Sequence, residues 1–158
     1  DSAAISIPAG CNSVRISGVF KGSNINAVIY ARVSVDGGEN YLAGASDYRK
    51  ADLNVFNTSV SASAAVDTTQ IIASLSNGDI VVPSKFSLEM DAPDPLGSHF
   101  PRISAKSHGV TSSGAAGSEY RFENYGFVRT TTRPTHILLY TDDASNFASG
   151  TRFLVEGF

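Results

Sequence analysis

No segment of a dozen residues in this chain keeps apolar side chains at i, i+3, i+4 and i+7, whereas apolar residues recur at every second position along much of its length. Period two puts alternate side chains on opposite faces of a strand, and a helix cannot bury such a pattern. The chain therefore reads as all-β. KFSLEMD shows the pattern most cleanly: Phe86, Leu88 and Met90 share one face, while Lys85, Ser87, Glu89 and Asp91 share the other. That is the signature of a half-buried antiparallel strand.

The same alternation places strands elsewhere. In SVRISGVF, Val14, Ile16 and Gly18 oppose Ser13, Arg15, Ser17 and Val19. In NAVIYARVSV, Ala27, Ile29, Ala31, Val33 and Val35 oppose Val28, Tyr30 and Arg32. DGGEN then supplies the Asp-Gly and Gly-Gly pairs that tight turns favour, which predicts a hairpin with ENYLAG as the return strand. ASDYRKADLNVF reads as a long connection leading into another strand. TTQIIASLS, EYRFENYGFVR, THILLYT and TRFLVEGF complete the set, and loops are expected at 92–101, with its three prolines, and at 111–118. In the last strand Phe153 and Val155 fall on one face, and Arg152, Leu154 and Glu156 on the other.

About eight to ten short strands separated by Gly, Asn, Asp and Ser turns describe a sandwich or barrel. A jelly-roll-like antiparallel β-sandwich, a single domain over residues 1–158, is the expected fold. A fixed internal repeat, as in a propeller or β-helix, is missing from the sequence. The 158 residues suffice to bury one core without staples. Cys11, the one cysteine, cannot form an internal disulfide and reads as a buried small hydrophobe.

Charge narrows the partners. Charged residues make up 17% of the chain and the net charge is -3, so no broad attraction to nucleic acid or to anionic membrane surfaces is expected. The sequence has no apolar run of membrane-spanning length and no basic, apolar leader at DSAAISIPAG. Starting on Asp1 rather than Met, it reads as a fragment of a larger polypeptide.

Motifs for catalysis are missing: there is no G-x-S-x-G elbow, P-loop or H-E-x-x-H. His99 and His108 lie beside serines, but adjacency along the chain does not make a triad, which is a matter of geometry. His136 reads as a strand-edge residue. Glu89 with Asp91 and Asp94, Glu119 with Glu123, and Asp142 with Asp143 are close in sequence, yet a glycosidase pair must be held at defined separation in a desolvated site. DAPDPLG and DGGEN offer oxygen ligands without the spacing of a calcium loop. The expectation is a non-enzymatic protein with no cofactor and no metal.

Aromatic and basic residues are more informative, because flat rings stack on sugar faces while Arg and Asn hydrogen-bond hydroxyls. Tyr120, Arg121, Asn124, Tyr125 and Arg129 concentrate in one segment, and Tyr41, Tyr48 and Arg49 in another. On a strand, Tyr120, Phe122 and Asn124 would share one face and Arg121, Glu123 and Tyr125 the other. Two readings stay open: core rings beneath a solvated charged face, or a ligand surface. The candidate ligand-binding residues are Tyr120, Arg121, Asn124, Tyr125, Arg129, Tyr48 and Arg49.

Two segments carry a family resemblance. ARVSVDGGENYLAGASDYR, with Ser34, Asp36, Gly37, Gly38 and Tyr41, and THILLYTDDASNFASGTRFLVEGF, with Phe147, Gly150, Thr151 and Gly157, resemble the small β-domains of tailed-bacteriophage tail fibre and tailspike proteins. The resemblance implies a C-terminal piece of a larger virion protein, located in the phage tail and extracellular when acting on its host. It further implies a homotrimer that recognises bacterial surface polysaccharide during adsorption. A trimerising cap or capsid decoration domain without a ligand is the alternative.

Overall fold

The computed structural model describes residues 1–21, 27–75, 84–91, 99–111, 118–142 and 146–158. Twelve strands run through these residues: β1 (Ser2–Ser6), β2 (Ser13–Phe20), β3 (Val28–Ser34), β4 (Tyr48–Phe56), β5 (Ser59–Ala62), β6 (Val66–Thr68), β7 (Ile71–Leu75), β8 (Ser84–Asp91), β9 (Arg102–Thr111), β10 (Ser118–Val128), β11 (His136–Thr141) and β12 (Arg152–Gly157). Every pairing is antiparallel. The smaller sheet has the order β1-β11-β3-β7, and the larger runs β12-β2-β8-β9-β10-β4-β5, with β6 also on β4.

The two sheets pack face to face as a β-sandwich, the arrangement that strands apolar on one face require. Ile29, Ala31 and Val33 of β3 and Ile137 and Leu139 of β11 come from the smaller sheet. They meet Val14, Ile16, Phe86, Leu88, Met90 and Ile103 from the larger one. The faces read from the sequence are those observed: β8 alternates strictly between buried and exposed or half-buried positions along its length.

The turn after β3 forms with positive φ at Gly37 (83°) and Gly38 (91°), as Asp-Gly-Gly suggests. Its return strand does not form. Residues 39–44 join no ladder: β7 holds this edge of β3 at Val28–Ala31, and beyond it the Val33 backbone is met by the Tyr48 hydroxyl and the Leu42 N–H. The turn is instead held by side chains. Ser34 Oγ donates to Asp36 Oδ1 (2.6 Å) and accepts from the Gly38 N–H (3.0 Å), while Asp36 accepts from the Asn40 N–H (3.0 Å) and Asn40 Nδ2 (2.8 Å).

The closing strand β12 lies beside β2 and not beside β11. Gly150 has φ of 98° in the turn before it. Phe147 packs edge-on between Phe20 (6.2 Å) and Phe153 (5.5 Å) beneath that turn. Phe158 is held to β2: its N–H donates to the Ser13 carbonyl (3.0 Å), and its own carbonyl accepts from the Ser13 N–H (3.1 Å).

Candidate functional site

The larger sheet extends beyond the smaller one and turns a broad face outward. On β8, β9 and β10 the alternation sends Lys85, Ser87 and Glu89, then Arg102, Ser104, Lys106 and His108, then Arg121, Glu123, Tyr125 and Phe127 to that face. Register sets their neighbours. Glu89 lies across from Ser104 and Ser104 from Tyr125; Lys106 lies across from Glu123; Lys85 lies across from His108 and His108 from Arg121. Cross-strand partners stand about 5 Å apart at Cβ, so each row acts as one chemical surface.

Tyr125 is the aromatic centre of this face and is 46% exposed. Its hydroxyl donates a short hydrogen bond to the Glu123 carboxylate. Lys106 Nζ lies 5.9 Å from the ring centroid, within cation–π range. Arg121 Nε meets Glu123 Oε1 at 3.0 Å. The tyrosine hydroxyl, with the Lys106 and Arg121 cations beside it, holds the Glu123 carboxyl below the usual range, and the same hydrogen bond pushes the Tyr125 phenol up. One residue pair further along, Phe127 stacks on Phe100 at 5.6 Å with planes 10° apart, and Phe100 is 45% exposed.

Two open grooves cross the face. The first, about 280 Å³, runs past Tyr125 between Glu89, Asp91, Arg102 and Ser104. The second, about 310 Å³, lies over Lys85, Ser87, Lys106, His108 and Arg121. Among the described residues no three His, Cys, Asp or Glu side chains are grouped to hold a metal ion.

The structure divides the seven predicted residues. Arg121 and Tyr125 lie on the outer face, and Arg49 joins them as the exposed cross-strand neighbour of Phe127. Arg129 pairs with Asp67 (2.7 Å), at the end of the sheet where β4 meets β6. The other three point inward. Tyr120, 4% exposed, hydrogen-bonds Ser84 through its hydroxyl. Asn124 is fully buried and donates from Nδ2 to Asp52 Oδ1 (2.7 Å). Tyr48, also fully buried, bonds the backbone of β3 and of the loop after it. These three are corrected to core residues, because the alternation of β10 and the inward start of β4 place them in the sandwich. Arg102, Ser104 and Lys106 were not singled out from the sequence. The only signal for them is the pairing of β9 with β10.

No family model, curated protein or solved structure matches the chain. Fold and surface thus define the class directly: an antiparallel β-sandwich domain whose larger sheet offers a shallow, open face of aromatic, acidic and basic side chains.

Proposed function

We propose that this chain is a non-enzymatic receptor-binding domain that takes bacterial surface carbohydrate onto the outer face of β8, β9 and β10, as part of a phage tail fibre or tailspike. The exposed Tyr125 ring carries this reading: it lies in an open groove with Glu89, Asp91 and Arg102 around it. An aromatic plane stacks on the apolar face of a sugar, and flanking carboxylates and guanidinium groups hydrogen-bond its hydroxyls. Open grooves suit a polymer that enters and leaves sideways. Single contacts of this kind are weak, so adhesion comes from several copies acting together, as a homotrimer on a virion would supply. The resemblance of the Ser34–Tyr41 and Phe147–Gly157 segments to phage fibre domains supports the virion setting.

A second reading rests on the sheet edges. Leu154 (58%), Val155 (37%) and Phe158 (59%) are exposed at the β12 edge, and Val60 (68%) at the β5 edge. Apolar side chains there suit a trimerising cap or decoration domain that buries them between copies.

The experiment is adsorption of the fluorescently labelled domain to a panel of bacteria, with purified surface polysaccharide as competitor. Strain-specific binding that the polysaccharide removes, and that Tyr125→Ala weakens, is the expected result. A folded domain that adsorbs to none of the strains moves the assignment to assembly.

A further inference from the structure

The second groove gathers basic side chains into one row. Lys85, His108 and Arg121 are direct cross-strand partners on three adjacent strands. The row thus sets two fixed cations, Lys85 and Arg121, on either side of one imidazole along a single line across the sheet. Across the sheet no carboxylate flanks the row, since Lys85 is followed on β2 by Val19 and Arg121 on β4 by Val55; along β10, Glu119 and Glu123 lie on either side of Arg121. Glu89 is engaged by Arg15 (2.8 Å), and Glu123, the one carboxylate paired with the row through Arg121 (3.0 Å), also takes the Tyr125 hydroxyl. Among the described residues Lys85 and His108 have no ion-pair partner. Lys106 borders the same groove.

In a chain of net charge -3 this is a local concentration of cations and not one corner of a basic surface. Cations gathered in a groove, of which Lys85 has no carboxylate of its own and Arg121 shares Glu123 with Tyr125, mark a place where a further anionic partner can come from outside. We propose that the row of Lys85, His108 and Arg121 receives an oxyanion, a carboxylate or phosphate, carried by the polysaccharide, so that the ligand is an acidic polymer and not a neutral one. This rests on the carbohydrate reading given above. His108 lies four positions along β9 from Ser104, the neighbour of Tyr125, or about 13 Å at about 3.3 Å per residue. One extended chain can therefore lie on the tyrosine ring and reach the cations together.

The test measures binding of the full chain to four immobilised probes: polygalacturonate, the same polymer with its carboxyl groups reduced to alcohols, poly(glycerol phosphate), and a single-stranded DNA oligonucleotide. At least one acidic polymer is expected to bind about tenfold or more tighter than the reduced polymer, the size of effect that charge-assisted contacts give. Lys85→Gln and Arg121→Gln should erase that preference without lowering the melting temperature, Lys85→Arg should keep it, and Tyr125→Ala should weaken both acidic and reduced polymers. Comparable binding of acidic and reduced polymers overturns the anion site and leaves the carbohydrate reading in place. DNA bound as tightly as the acidic polymers overturns the assignment to polysaccharide. Binding of none of the four overturns the anion site, while the carbohydrate reading stands or falls by the adsorption panel.

Discussion

The hydroxyl of Tyr48 accepts a 2.8 Å hydrogen bond from the backbone N–H of Val33, at the point where β7 stops pairing with β3. The same hydroxyl donates to the Leu42 carbonyl (3.1 Å), and the Leu42 N–H donates to the Val33 carbonyl (2.9 Å). One buried side chain and one loop residue thus stand in for the missing length of strand. Burial pushes the Tyr48 phenol up, so it keeps its proton and its capacity to donate.

Tyr48→Phe should therefore destabilise the domain by about 1–3 kcal/mol, the usual cost of leaving a buried N–H without a partner. Urea unfolding measures it. A change near zero would mean that water replaces the hydroxyl.

The Asp36 turn gives a pH dependence. Hydrogen bonds from the Asn40 backbone, then from Ser34 and the Asn40 side chain, lower its carboxyl from 3.8 to about 2. A carboxyl lowered on folding adds stability that is complete above the unfolded value and disappears as pH falls through the folded one. The loss attributable to Asp36 should thus fall between pH 3.8 and about 2. Thermal melts of Asp36→Asn and the parent chain should differ most above that window and converge below it.

A Cβ added to Gly109 would lie 2.6 Å from the Tyr120 ring, whose hydroxyl is fixed by Ser84. Gly109→Ala should cost about 1–3 kcal/mol by overpacking. The expected signature in calorimetry is a lower melting temperature with polysaccharide adsorption retained at temperatures where the variant is folded.

Tyr120 and Tyr125 lie five residues apart on one strand and should respond oppositely. Tyr120→Ala empties a buried site and should cost about 3–5 kcal/mol, as large aromatic truncations do. Tyr125→Ala changes an exposed ring, should move stability by no more than about 0.5 kcal/mol, and should weaken adsorption. Parallel urea titrations and adsorption assays separate the two.

Legibility in the sequence followed side-chain size. β2, β3 and β8 were readable because their inward residues are large: Phe20 and Ile16, Ile29 and Val33, Phe86 and Met90. β9 was not, since Ala105, Ser107 and Gly109 face inward and leave room for neighbours such as Tyr120. β1, with Ile5 as its one large apolar residue, escaped for the same reason. The return strand at 39–44 is expected because turn chemistry is local, whereas the pairing of β7 with Val28–Ala31 and the capture of the Val33 N–H by Tyr48 are set by residues further along the chain. For the site, alternation assigned Arg121 and Tyr125 to one face correctly. It could not bring Lys106, Arg102 or Lys85 beside them, because register between strands is not written in either strand alone.

The position of β2 has a consequence for how the chain is made. Ile16 pairs with Leu88 on one side and Val155 on the other, so β2 is synthesised well before either of its partner strands. Until then its apolar face and both of its edges stay open to any other nascent chain. A domain wired in this way cannot assemble piecewise behind the moving ribosome; it waits for β12 and then closes in one slow, long-range event. Its yield in a cell is therefore governed by what shelters the waiting strand as much as by the stability of the finished sandwich.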